Sequence, residues 1–260
     1  MNITILLVIK QMDDVYVYEM KLLLQNRYQV TLDREPETLA SALKLRAAHF
    51  GDGDGDKFDA ECTHVLIQDL QTQNLVCTFR FLHLETGTEI KRTYAAQYYD
   101  LANLAGFAEP IMEIGRFCVD METVDPNVLR IAWAAITRYV DANGIGLLCG
   151  CSSFQGNDST AYKDAFTLLK DRHLAPEQWR PRVKSGDVIA FNQDDAVHKT
   201  NVRLANQQLP PLLRTYLTMG GWVSDHAVVD PILNTIHVFT GVEISAIPAT
   251  RKRLLRANVA

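Results

Sequence analysis

Met112-Glu113-Ile114-Gly115-Arg116-Phe117-Cys118-Val119-Asp120 sets a carboxylate and a guanidinium into a short apolar run. Alternate residues of a strand point to opposite faces, so Glu113 and Arg116, three apart, should look in opposite directions. Gly115 lies between them, and a glycine inside a strand often marks a bulge or a close backbone approach. A one-residue bulge at Gly115 predicts that Glu113 and Arg116 turn toward one side and that a backbone N–H is freed beside them. A base, a cation and a free N–H on one strand are the parts that acyl transfer uses. The alternative is a buried structural ion pair.

Outward from this strand the pattern is mixed. Upstream, residues 28–33 alternate as a first strand, and Pro36 opens a helix to about Phe50. A loop of alternating Gly and Asp follows at 51–56, then strands at 64–69 and 75–84 and a partly helical connection over 86–108. Downstream, Asp125-Pro126 starts a long helix that Gly144 stops. Residues 147–151 read as a buried strand, 159–172 as a helix, 176–184 as a loop and 188–191 as a short strand. A helix at 210–219 precedes two last strands, 222–229 and 235–242. This order predicts one mixed α/β domain over 28–245. Residues 1–27 stand before it as a leader without an assigned role, and 246–260 follow as a basic tail.

At 260 residues the chain can bury a sizeable core, and its 47% hydrophobic and 22% charged residues suit a soluble globular protein. A net charge of −5, from 31 acids against 26 bases, argues against a nucleic-acid binder, whose phosphate contacts need a basic domain. The five cysteines, Cys62, Cys77, Cys118, Cys149 and Cys151, lie mostly in apolar runs and read as reduced core residues. The apolar run 3–9 is too short to span a bilayer, and no basic region precedes it as in a signal peptide. A cytoplasmic protein is expected, one that would reach lipid only from the inner membrane surface.

Several motifs fail on their own chemistry. A calcium loop starting at Asp52 needs Gly at its sixth position and Glu at its twelfth, where this chain has Lys57 and Thr63. The Gly-Asp loop therefore reads as a solvated turn. Cys149-Gly150-Cys151 lacks the further ligands a metal needs, so no metal and no cofactor is expected. Ser152-Ser153 lacks the flanking glycines of a nucleophile elbow. The element order suits the GNAT acyltransferases, which hold the pyrophosphate of coenzyme A on a Gly-rich loop at a helix N-terminus. Here that loop reads Asp120-Met121-Glu122-Thr123-Val124-Asp125-Pro126, with three carboxylates and no glycine. An acyl group on a carrier protein fits this loop better than coenzyme A does.

Phe58-Asp59-Ala60-Glu61-Cys62-Thr63-His64, Thr78-Phe79-Arg80, Glu113-Ile114-Gly115-Arg116-Phe117 and Leu129-Arg130-Ile131-Ala132-Trp133 are joined by Gly150-Cys151-Ser152-Ser153-Phe154. The set closes with Arg172 through Arg182, containing Trp179-Arg180-Pro181-Arg182, and with Asp225 and Asn234-Thr235. Taken together, the chain from about Tyr28 onward resembles the bacterial L-ornithine N-alpha-acyltransferases and, more distantly, the acyl-homoserine lactone synthases. The resemblance implies a GNAT-like fold, a mixed central sheet flanked by helices. It also implies transfer of a 3-hydroxyacyl group from acyl carrier protein to the alpha-amine of L-ornithine. Where such enzymes carry an Arg-aromatic-Arg run, this chain reads Leu45-Arg46-Ala47-Ala48-His49-Phe50, with one cation fewer.

Roles follow for individual residues. Glu113 is the expected base, with Arg116 orienting it or touching substrate. Asp59, Arg46, Arg80 and, more weakly, Asp225 are the expected substrate contacts. For Asp59 the alternative is a turn cap, and for Arg80 an edge charge. Arg180, Arg182 and Lys184 form a basic stretch suited to an acidic carrier protein, or simply a solvated loop. Arg251, Arg253 and Arg256 could touch an anionic membrane; an ordinary disordered tail is the competing reading. Other acceptors remain open: another amino acid, a lactone-synthase-like substrate, or a module that binds carrier protein without turnover.

Overall fold

The computed structural model describes residues 5–12, 15–22, 27–51, 54–191 and 200–257. They gather into two compact units that do not follow chain order. The first takes the described residues of 1–83, 114–144 and 249–260, and the second those of 84–113 and 145–248.

The first unit carries β1 (Ile5–Met12), β2 (Val15–Leu22), β3 (Tyr28–Asp33), β4 (Thr63–Asp69), β5 (Leu75–Leu84) and the later part of β7 (Ile111–Val119). They lie in the order β1-β2-β3-β4-β5-β7. The register of β3 on β4 runs antiparallel from Tyr28↔Asp69 to Asp33↔His64. Alternation decides β3: Tyr28, Val30 and Leu32 are buried, and the residues between them are not. The segment set aside as a leader supplies β1 and β2, paired from Ile5↔Leu22 to Met12↔Val15. An apolar run too short for a bilayer is long enough for a strand.

Helices α1 (Pro36–Phe50), α2 (Asn127–Asn143) and α6 (Ala249–Ala257) complete this unit. Pro36 opens α1, and Gly144 closes α2 in the left-handed region at φ 60°. The C-terminal segment, for which a disordered tail was the competing expectation, is helical, and Arg256 holds Asp141 of α2 with two hydrogen bonds of 2.7 and 2.9 Å. No helix among the described residues is long and apolar enough to cross a membrane.

In the second unit, residues 111–113 of β7 pair in parallel with β8 (Leu147–Gln155). Beyond β8 come β13 (Thr235–Glu243), β12 (His226–Asp230) and β10 (Val188–Ala190), all antiparallel, with β11 (Trp222–Val223) also on β13. Phe154, Val223, Ala227, Ile236 and Val238 share a buried cluster with residues of α3 (Lys163–Arg172), α4 (Val202–Gln208) and α5 (Pro211–Thr218). The strand expected over 222–229 is split, because Ser224 turns the chain: its hydroxyl donates to His226 O and accepts from Phe239 N. The loop expected over 176–184 contains β9 (Arg182–Val183), which pairs with β6 (Tyr99–Asp100). Helix α4 had no sequence signal, since four polar residues fill its seven positions.

Candidate active site

The loop read as a solvated turn is the centre of the first unit's polar core. Asp54 and Asp56 fold inward and join Asp59 against three guanidinium groups. Arg46, on α1, donates from Nε to Asp54 Oδ2 at 2.5 Å and from Nη1 to Asp59 Oδ1 at 2.7 Å. Arg80, on β5, donates to Asp56 Oδ1 and Oδ2 at 2.7 and 2.8 Å and to Asp59 Oδ1 at 2.5 Å. Arg116 donates to Asp56 Oδ2 at 3.0 Å, and its Nε lies 2.8 Å from Asp54 Oδ1, a charge contact without hydrogen-bond alignment. Three cations thus face three anions. Arg46, Arg80, Asp54 and Asp59 are almost fully buried, whereas the Asp56 side chain keeps 21% of its surface in solvent.

Burial alone would raise the Asp59 carboxyl. The Arg46 hydrogen bond, the Arg80 charge and the Asp56 N–H outweigh it and hold the group down at about 2. Four of the expected site residues, Arg46, Asp59, Arg80 and Arg116, therefore meet. Asp59 is no simple turn cap and Arg80 no edge charge. The sequence missed Asp54 and Asp56, because Gly-Asp alternation is locally a turn signal and their partners lie far along the chain.

The distortion of β7 falls one residue after Gly115: Arg116 is in the left-handed region, at φ 52°. Such a conformation costs a non-glycine residue about 1–3 kcal/mol and persists where its surroundings over-determine it. Here Asp54 and Asp56 anchor the guanidinium, and it stacks 5.6 Å from the Phe50 ring.

Glu113 belongs to the second unit. Its Oε2 accepts the Tyr94 N–H at 2.7 Å and its Oε1 the Ala95 N–H at 2.8 Å, at the start of a short 3-10 turn. Both oxygens are engaged, so the carboxylate anchors the turn that begins at Tyr94. Glu113→Gln should therefore destabilise the fold, because its amide NH2 would face one of these N–H donors. Leaving one such donor unsatisfied costs about 1–3 kcal/mol, and a thermal melt several degrees below wild type is the expected result.

The other expected residues are also in the second unit. Asp225 Oδ1 lies 2.7 Å from His226 Nδ1. Arg180 donates to Ala175 O, Lys184 Nζ to Ala96 O at 2.5 Å, and the exposed Arg182 to Asn103 Oδ1 at 3.2 Å. Arg182 is the member of this basic stretch most free to meet a partner. Among the described residues no three His, Cys, Asp or Glu side chains gather as metal ligands.

A family model for the acetyltransferase (GNAT) domain matches residues 38–134, the stretch that contains the ion cluster and β7. An L-ornithine N(alpha)-acyltransferase of Rhodobacter capsulatus is 30% identical over 253 residues, covering 89% of this chain and 96% of that protein. One of Agrobacterium fabrum is 27% identical, covering 85% and 76%. Among solved structures, FeeM, an N-acyl amino acid synthase from uncultured soil microbes, aligns at 12% identity over 84% of this chain and 92% of that one, with a TM-score of 0.47. The protein is an acyltransferase with a GNAT-like fold, a mixed sheet flanked by helices. More narrowly, the chain belongs to the L-ornithine N-alpha-acyltransferase family.

Proposed function

We propose that this enzyme moves a 3-hydroxyacyl group from acyl carrier protein to the alpha-amine of L-ornithine. The observation that carries the acceptor is the 30% identity, spread over 89% of the chain, to an enzyme that bears that activity in its name. The donor rests on chemistry at the start of α2. There the Asp125 carboxylate accepts the Asn127 N–H at 2.9 Å, taking the anion position that a pyrophosphate would otherwise use. In this reading the ion cluster of Arg46, Asp59, Arg80 and Arg116 fixes the Gly-Asp loop, with Asp56 its most accessible carboxylate, and Glu113 holds the turn at Tyr94. Helix α6 presents Arg251, Lys252, Arg253 and an exposed Leu254, a surface suited to anionic membrane lipid.

Purified protein incubated with 3-hydroxyacyl carrier protein and a panel of amino acids tests the assignment. An N-acylated ornithine formed well above other acceptors is the expected product, and turnover with another amine alone would replace the acceptor. Docking is tested separately. Arg182→Glu should raise the KM for carrier protein several-fold with little change in kcat. That defect should shrink as salt rises, because exposed charges are screened over about 8 Å at physiological ionic strength.

A further inference from the structure

The carboxylates between β7 and α2 are not equivalent. Asp125 accepts the Asn127 N–H and is held by Arg27 and the Tyr28 hydroxyl. Asp120 accepts the Thr123 hydroxyl at 3.1 Å. Glu122 is exposed and makes no hydrogen bond or ion pair among the described residues. Asp120 and Glu122 line an open cleft of about 550 Å³ within the first unit. Lys44 of α1 lines it too, and its ammonium is likewise unpaired among the described residues. The volume is that of a small-molecule site.

The sheet shapes the floor of this cleft. Between β4 and β5 the register shifts at Ile67/Gln68, so that Leu75 and not Val76 stands opposite Gln68. Bulges re-aim side chains in this way, and residues opposite one another share a face. Gln68 and Leu75 therefore line the cleft together with Leu66, two residues back on β4, and Leu45 of α1 adds a third apolar side chain. Gln68 Nε2 donates to Gln73 O at 3.0 Å, which ties the β4–β5 turn and leaves Gln68 Oε1 to accept. The Asn74 amide and the Thr31 hydroxyl, also on the wall, have no partner among the described residues.

A ligand for such a wall can be specified group by group. Two carboxylates call for two cationic groups, Lys44 calls for one carboxylate, and the leucines suit a short methylene chain. A diamino acid carries this set at neutral pH. A neutral amino acid would leave one acid unmatched, and a simple diamine would leave Lys44 unmatched.

We propose that this cleft binds the acceptor and selects a diamino acid, with Glu122 on the side-chain ammonium and Lys44 on the carboxylate. The proposal rests on the ornithine reading above and names the residues that choose the acceptor. The α-amine must shed its proton to react, so it suits Asp120, the carboxylate already shared with Thr123. The side-chain ammonium keeps its charge throughout and suits the unshared one.

Calorimetric titration of L-ornithine without donor, and steady-state kinetics with a carrier-bound acyl donor, test this on Glu122→Gln and Lys44→Met. Both side chains are exposed, so both variants should melt with wild type. Glu122→Gln should weaken ornithine binding and raise its KM about tenfold or more, with the KM for donor little changed. Norvaline, the same acid without the side-chain ammonium, should bind weakly and be blind to that substitution. Lys44→Met should weaken ornithine likewise but leave inhibition by putrescine, which lacks the carboxylate, unchanged. Wild-type ornithine affinity in both folded variants, or a defect that falls equally on ornithine and norvaline, would overturn the assignment. An enzyme that binds ornithine through Glu122 yet acylates no amine would keep the cleft and remove the acceptor reading instead.

Discussion

Asp59→Asn should unfold this enzyme far more easily than an ordinary surface change. The substitution keeps the shape of the side chain but removes the charge that Arg46 and Arg80 share at 2.7 and 2.5 Å. Both guanidinium groups are almost fully buried and would lose part of their compensation. Breaking a buried ion pair from one side costs about 3–5 kcal/mol. In a protein of this size that is a drop in Tm of about 10 °C, measurable by calorimetry or urea unfolding. Pairing it with Arg46→Met should recover part of the loss, since removing both partners leaves fewer uncompensated charges. Full stability of Asp59→Asn would mean that the cluster relaxes around an amide and that solvent reaches it.

The same carboxyl sets a pH dependence. Its folded value, about 2, lies below its ordinary 3.8. A group depressed on folding contributes stability above its unfolded value and loses it as pH falls through the folded one. Asp59 therefore supports the fold fully at neutral pH, and its contribution should fade between about pH 4 and pH 2. In Asp59→Asn the stability curve should be flatter across that interval than in wild type.

What the sequence revealed depended on how local the cause was. Pro36 and Gly144 bound their helices through backbone constraints that act within one turn, and both helices stand where those residues put them. The core face of β3 was legible from its alternation alone. The Gly-Asp loop was not, because what draws Asp54 and Asp56 inward is the charge of Arg46, Arg80 and Arg116 from α1, β5 and β7. The same distance effect hid the strain at Arg116, whose left-handed φ accompanies its contacts with Asp54 and Asp56. Glu113 and Arg116 were read as one device because a bulge at Gly115 would turn both toward one side. Their hydrogen-bond partners are quite different, two backbone N–H groups for Glu113 and two carboxylates of the Gly-Asp loop for Arg116.

The donor should be discriminated about as sharply as the ion cluster is sensitive. A matched acyl-CoA is expected to react with a kcat/KM about a hundredfold below that of the same acyl group on carrier protein, since like charges brought together cost several kcal/mol and 1.4 kcal/mol is tenfold. The reasons lie at the end of β7. Thr123 and Asp125 follow it without a glycine, and the first N–H of α2 that an anion could use is held by Asp125. Asp125 is itself fixed by Arg27 at 3.1 Å and by the Tyr28 hydroxyl at 2.6 Å, so it cannot easily swing aside. The open cleft beside this loop is lined by two more acids, Asp120 and Glu122, against one ammonium, Lys44. A pyrophosphate entering there would meet net negative charge, whereas a carrier protein keeps its own phosphate at its surface and brings only the pantetheine arm. Steady-state kinetics with the two donors at equal acyl length decides the matter, and adding salt should narrow the gap by screening the repulsion. Equal efficiency with acyl-CoA would place the nucleotide elsewhere on the protein and return the carrier assignment to an open question.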